Sequence, residues 1–435
     1  MPEFSERDRL SLPLDCAVQV VGFGISGLGL AFAADRQCQF EKLCQHGLVY
    51  IDKRRESDFS SLNFDILSNS PASDFIEGIR PGGLFSALLN SQNGKRLRCL
   101  KNKETPLTLV SEFFADAADC LSTLLKPYLR SSVLSRKCVS TIKINRDNTT
   151  SSYDMDGNLL VRSRYTVIAT GGVEANNSEF ASVARQRLAD LVQSEPILRG
   201  LMDNRLKQII STGQQIAIIG GSHSAFSVVD YLLRNFSSII QREQILLVHR
   251  SPIKRYYKNI KDFNKTSASK EEGLVDFETQ TVNRYSGLRC DARFNYENIL
   301  NGNENRVNIV SAADATIENL LAANANPVGM LVQATGYHSQ MPTIIDHNHQ
   351  PIATKCTGGQ TELSLNHHLI SENKQVLESI FGIGLGTFIA SAAPYSTTGE
   401  VAVGVNIYHQ KDADTIISQI LGQLGNEPLL PLAQN

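Results

Sequence analysis

Hydrophobic positions along the chain fall into short runs that stop at glycines. Ala17-Val-Gln-Val-Val leads into Gly22-Phe-Gly-Ile-Ser-Gly27. A helical pattern, Leu28-Gly-Leu-Ala-Phe-Ala-Ala, follows, and then a second apolar run, Leu48-Val-Tyr-Ile-Asp52. A four- to six-residue apolar run bounded by glycine reads as a buried strand, and the Ala/Leu-rich stretch as a helix, so the segment predicts a βαβ unit. The layout recurs in Gln215-Ile-Ala-Ile-Ile-Gly-Gly-Ser-His-Ser-Ala225, then Phe226-Ser-Val-Val-Asp-Tyr-Leu-Leu, then Ile245-Leu-Leu-Val-His249 with Arg250 at its end. Two further runs, Tyr165-Thr-Val-Ile and Gly329-Met-Leu-Val-Gln, both end in Ala-Thr-Gly, and 376–384 predicts another strand. Residues 111–125 and 413–424 carry the helical period, whereas 254–277 and 347–361 read as polar loops, with Lys270-Glu-Glu an exposed turn.

Sharp strand-to-helix turns rich in glycine suit a dinucleotide pyrophosphate, because the helix start offers free N–H groups and a positive dipole end. Gly22 permits the turn, Gly24 lets backbone approach the phosphates, and Gly27 lets helix pack on strand, with Ser26 and Lys53 alongside. Asp52 ends the unit, where a carboxylate accepts from ribose hydroxyls. In the second loop Gly220 and Gly221 precede Ser222, which replaces the glycine of close phosphate approach. Its hydroxyl and that of Ser224 can donate to phosphate, and His223 falls beside it by position. Asp52 stands 30 positions after Gly22, and Arg250 stands 30 after Gly220. An acid there repels a 2′-phosphate, whereas Arg pairs with it, helped by Ser251, Lys254 and Arg255. The first unit therefore suits FAD and the second NADPH. The expected architecture is α/β, with two Rossmann-like dinucleotide-binding domains of the three-layer ββα type, the second inserted into the first. The expected boundaries are an FAD-binding domain over 1–205, an NAD(P)H-binding domain over 206–339, and a return to the first over 340–435 ending in a C-terminal helix.

Composition narrows the partners. In 435 residues, 42 Lys+Arg stand against 44 Asp+Glu, for a net charge of −2. That balance argues against nucleic acid or an acidic membrane surface. The polar N-terminal residues contain no apolar core of a secretory signal, and no apolar run reaches membrane-spanning length, so a cytoplasmic protein is expected. Eight cysteines include no C-x-x-C pair, which excludes glutathione-reductase-type disulfide exchange and leaves reduced thiols. His347 and His349 with Asp346, and His367 with His368, lack metal-ligand spacing. They read as solvated loop residues, and no metal is expected.

Gly22-Phe-Gly-Ile-Ser-Gly27, Ala169-Thr-Gly171, Gly220-Gly-Ser-His-Ser-Ala225 and Ala334-Thr-Gly-Tyr337 stand in the order found in two-dinucleotide-domain flavoprotein monooxygenases, and the chain resembles that group. Ala334-Thr-Gly-Tyr337, with Pro342 after it, is similar to an element of the N-hydroxylating enzymes acting on lysine or ornithine side chains. The F-x-G-x-x-x-H signature of Baeyer–Villiger and microsomal-type enzymes is missing from 198–214, and the insertions 340–365 and 390–408 match no pattern of the group. The resemblance implies that NADPH reduces FAD, that reduced flavin takes up O2 as a C4a-(hydro)peroxide, and that a small nucleophilic substrate, an amine or amino acid, is hydroxylated. Thr170, Gly171, Thr335 and Gly336 would then mark crossings between domains. Gly384, Gly386 and Thr387 would bring backbone N–H groups to the flavin. Asn69 and Ser73, in the turn-rich Ser68–Asp74 stretch, are candidates for the flavin or substrate edge, or simply turn residues. Tyr337 covers a nicotinamide or substrate edge, or packs between domains. Two other classes stay open: a flavin reductase or oxidase that hydroxylates nothing, and a flavoprotein binding module whose second nucleotide site is degenerate. A homo-oligomer is compatible with all three.

Overall fold

The computed structural model describes residues 12–55, 58, 64–175, 177–266, 273, 275–276, 280–283, 287–313, 316–323, 326–389 and 411–425. The expectations for the extreme N-terminus, Lys270-Glu-Glu and 390–408 lie outside them.

The first apolar run becomes strand Leu14–Val21 at the heart of a parallel sheet. Ser132–Leu134, Leu48–Ile51, Leu14–Val21, Leu159–Ile168 and Val376–Gly382 lie side by side in that order. Both faces are covered, which is why these strands are apolar without a polar face. Alternation divides their side chains between two cores. Leu48 and Tyr50 face the helices Ile25–Arg36, Leu107–Leu125 and Ala413–Leu424. Val49 and Ile51 face a second β-layer that contributes Ile142, Leu160, Ile344 and Leu369. That layer grows out of the parallel strands themselves. Leu159–Ile168 pairs antiparallel with Thr150–Tyr153, which pairs with Thr141–Ile144. Val376–Gly382 likewise pairs with His368–Ile370. The result is a ββα sandwich.

The second unit is a five-stranded parallel sheet ordered Asp190–Gln193, Val328–Gln333, Gln215–Ile219, Ile245–His249, Val307–Ser311. Ile216, Ile218, Leu247 and Val332 fill one side with helix His223–Asn235. Ala217, Ile219, Leu246 and Leu331 fill the other with helix Ser178–Arg187. The two units are joined by an antiparallel pair of short strands, Gly172–Glu174 leaving the first and Tyr337–Ser339 returning to it.

The boundary expected near 205 needs correction. Strand Asp190–Gln193 already pairs with Val328–Gln333, so the second unit begins just after Glu174. The intervening residues carry no glycine loop, and their allegiance is set by that long-range pairing. His367 and His368 also depart from expectation, being 4% and 7% exposed rather than solvated. Strand pairing draws them inward, with the His368 ring 4.2 Å from that of Phe381. Burial holds both imidazoles below the usual range, His367 at about 4. His347 and His349 are exposed, with His349 Nε2 2.8 Å from Lys143 Nζ.

Candidate functional site: two glycine cradles

In the first cradle, Gly22 takes φ +109°, and a Cβ there would stand 2.3 Å from the Ala169 carbonyl oxygen. A Cβ on Gly27 would meet the Gly22 oxygen at 2.4 Å. Both are therefore required by the protein's own packing. Gly24 differs, because the nearest atom to its Cβ would be Arg54 Nη2 at 3.8 Å. Gly24 is also the N-cap of helix Ile25–Arg36 and offers no side-chain cap, so the first-turn N–H groups have no capping partner there. The open space thus lies over a helix N-terminus, the geometry an anionic group requires.

Asp52, 5% exposed, closes this cradle. One carboxylate oxygen accepts from the Phe23 amide at 2.7 Å and Arg54 Nη2 at 2.8 Å. The other accepts from the Arg54 amide at 2.8 Å and Arg54 Nε at 2.9 Å. Burial pushes its pKa up, but the Arg54 bonds and charge together with the Phe23 amide outweigh this and hold the carboxyl below its usual range. Lys53 is exposed, and it is Arg54 that reaches the loop. From the C-terminal part, a Cβ on Gly384 would stand 2.5 Å from Ser26 Oγ, and one on Gly386 would stand 2.9 Å from Ser339 Cα. The Thr387 hydroxyl donates to the Gly384 carbonyl at 2.8 Å, and that of Thr170 to Gln340. Gly171, at φ +73°, has no atom within 4 Å of a Cβ position. The turn 383–387 therefore closes onto both the first loop and the crossing strands.

The second cradle repeats the first in its backbone. Gly220, at φ +147°, would place a Cβ 2.2 Å from the Ala334 oxygen, as Gly22 does against Ala169. Its amide donates to Val248 as that of Gly22 does to Ile51. A cleft of about 520 Å³ opens at the carboxyl ends of these strands, lined among others by Ser222, Arg250, Ser251, Lys254 and Thr335. Ser222 is the N-cap of helix His223–Asn235, but its hydroxyl does not cap it. The Arg250 guanidinium meets Glu179 at 3.2 Å across the rim. His223 has a different partner from the one its position suggested: Nε2 accepts the Arg289 amide at 3.1 Å, and burial, with Arg289 nearby, holds the ring at about 4, neutral.

Tyr337 pairs in register with Glu174 between the crossing strands, and the Ser224 hydroxyl bonds its phenol oxygen. Burial first, then Glu174 and Glu195, push the phenol up to about 12. Tyr337 thus ties the crossing to the second cradle, and Gly336, at φ +101°, makes the turn into it. Glu174 accepts from Ser194 and from the Glu195 amide, yet burial still raises its pKa. Asn69 is exposed, and the exposed Ser73 hydroxyl reaches Asn102 at 3.4 Å. Beside them the two units face each other through charged groups. Asp74 feels Arg289, and Glu104 bonds the Cys290 thiol and faces Asp291. Burial raises Asp74 and Asp291 alike. Sequence reasoning missed Arg54, Glu179, Glu174 and this face. Only Arg54, two positions after Asp52, left a trace in the sequence, since the others act through partners far away in the chain.

No family model matches the chain. The CMP-5′-(3-aminopropyl)phosphonate hydroxylase of Streptomyces rubellomurinus is 23% identical over 351 residues, covering 76% of this chain and 79% of that one. The ornithine N-hydroxylase of Kutzneria sp. 744 superposes with a TM-score of 0.56 at 15% identity over 95% of this chain and 100% of the other. The cadaverine monooxygenase of Erwinia amylovora gives 0.60 at 13% identity over 96% and 99%. A bacillithiol disulfide reductase of Staphylococcus aureus gives 0.53 at 10% identity over 94% and 99%. The expected architecture is therefore the observed one, and the chain has the fold of the two-dinucleotide-domain flavoproteins to which the N-hydroxylating monooxygenases belong.

Proposed function

We propose that this protein is an FAD-dependent, NADPH-consuming monooxygenase that hydroxylates a small substrate at an amine nitrogen. The observation that carries the reading is the duplicated cradle: one chain builds two strand-end glycine turns of the same backbone form, joined by a pair of crossing strands. That arrangement suits a resident flavin and a visiting nicotinamide carrier. The fit to FAD rests on the open space over Gly24, on the helix start behind it, and on Asp52 at the strand end. When bound, FAD supplies the electron relay and the activation of oxygen.

The chain's own residues then have separable tasks. Gly22, Gly24, Ser26 and Gly27 shape the pyrophosphate seat, and Asp52, freed in part from Arg54, receives the ribose. Thr170, Gly171, Gly384, Gly386 and Thr387 close the flavin side against water. Gly220, Ser222 and Ser251 serve the second pyrophosphate, Arg250 receives the 2′-phosphate, Thr335 and Gly336 border it, and Ser224 holds Tyr337 in place instead. His223 holds the Arg289 segment in position rather than contacting phosphate. The carboxylates of Asp74, Glu104 and Asp291 on the facing surfaces favour a cationic substrate. This agrees with the ornithine, cadaverine and aminopropyl-phosphonate chemistry named for the similar proteins.

The likeness to a bacillithiol disulfide reductase supports a second reading, electron transfer without hydroxylation. Purified protein should be yellow and bleach with NADPH in the absence of air. Admitting O2 with a panel of diamines and amino acids should yield a hydroxylamine product. Stoichiometric hydrogen peroxide with every amine would instead favour the second reading, and colourless protein that takes up no flavin would end both.

A further inference from the structure

Glu179 is the second residue of helix Ser178–Arg187, fixed there by its amide donating to the Asn177 side chain at 2.9 Å. Its neighbours Asn177 and Phe180 line the second cleft, opposite Arg250. The Glu179 carboxylate reaches across and meets Arg250 Nη2 at 3.2 Å, with the two side chains 46% and 60% exposed. The guanidinium that the nucleotide reading assigns to a 2′-phosphate therefore already has a carboxylate partner, on a different element of the same rim.

We propose that Glu179 sets the preference between phosphorylated and unphosphorylated nucleotides by competing for Arg250. The proposal rests on the assignment of this cleft to NADPH. A ribose without the phosphate leaves the pair intact and takes no account of Glu179. A 2′-phosphate needs the guanidinium that Glu179 holds, and it brings its own negative charge to within reach of that carboxylate. Both effects oppose the phosphorylated form alone. They are bounded by solvent, because an exposed pair of this kind contributes at most about 1 kcal/mol, which is roughly fivefold in affinity. Glu179 thus moderates Arg250 toward the phosphorylated carrier and neutralises it when the phosphate is lacking.

The test uses the purified full-length protein and two probes that isolate the 2′-phosphate, 2′,5′-ADP and 5′-AMP, with binding followed by calorimetry. Glu179→Gln keeps the helix and the side-chain length but removes the charge. It should tighten 2′,5′-ADP roughly two- to fivefold and leave 5′-AMP unchanged, with the gain shrinking as salt rises. No change for 2′,5′-ADP, or an equal change for both probes, overturns the proposal. Arg250→Ala run in parallel separates this from failure of the underlying reading. If that variant loses no preference for 2′,5′-ADP over 5′-AMP, the cleft is not the phosphate site and the assignment of NADPH to it falls first.

Discussion

Two glycines of the same loop are needed for different physical reasons, and substitution should separate them. At Gly22 a side chain collides with the Ala169 carbonyl in a left-handed backbone, so Gly22→Ala should cost about 2–4 kcal/mol of stability. At Gly24 the protein offers no obstacle nearer than Arg54, so Gly24→Val should purify without flavin yet melt close to the temperature of the parent stripped of flavin. Melting temperature and bound-flavin absorbance on both variants check this, and a Gly24→Val protein with full flavin content would contradict the role given to that space. The motif itself was plain in the sequence. That one glycine answers to the fold and another to open space was not, because the distinction depends on Ala169, far along the chain. Glu179 is likewise an ordinary surface charge until Arg250, 71 positions away, is placed beside it.

Among the elements, strands and helices were legible wherever the apolar period was continuous. The C-terminal helix Ala413–Leu424 falls where its pattern put it, burying Ile416, Ile417, Ile420 and Leu424. The helix expected from 111 begins earlier, at Leu107, since Pro106 starts it and Leu109 and Val110 already face the core. Short polar strands such as Thr150–Tyr153 were illegible because partner strands, not their own composition, bury them. Joints between elements also carry the pH response. His223 links the start of helix His223–Asn235 to the Arg289 segment, and it titrates at about 4 instead of the ordinary 6.5. The folded form then binds fewer protons than the unfolded chain between those values. Stability is whole above about pH 6.5 and declines as pH falls toward 4. His223→Gln, whose amide oxygen can still accept from Arg289, should flatten that part of a plot of melting temperature against pH. An unchanged slope would locate the response elsewhere, with His367 the next group to test.

For the molecule as a whole, the insertion is defined by two strands. Gly172 and Ser339 are register partners, so the entry and exit of the second unit lie side by side. Adjacent ends are what allow one unit to be inserted in another without straining either. Replacing 175–336 by a two-residue hairpin turn between Glu174 and Tyr337 should therefore leave a first unit that unfolds cooperatively and retains flavin but no longer responds to NADPH. The cost is exposure of Phe64 and Ile66, which pack against the second core. A shortened chain that is collapsed or flavin-free under the same conditions would mean that the first unit depends on the second for its fold.

The sequence by itself determined the two glycine turns, the strands and helices around them, the order in which they come, and the acid and the cation that end the two units. All of these depend on neighbours within a few dozen residues, where periodicity and backbone chemistry act directly. Only the tertiary structure decided where the second unit begins, which histidines are buried, what holds Arg250, and which charges meet between the units. Those outcomes depend on partners that only the folded chain brings together, such as Glu179, 71 positions from Arg250, and strand Val328–Gln333 beside Asp190–Gln193, on which the local pattern places no constraint.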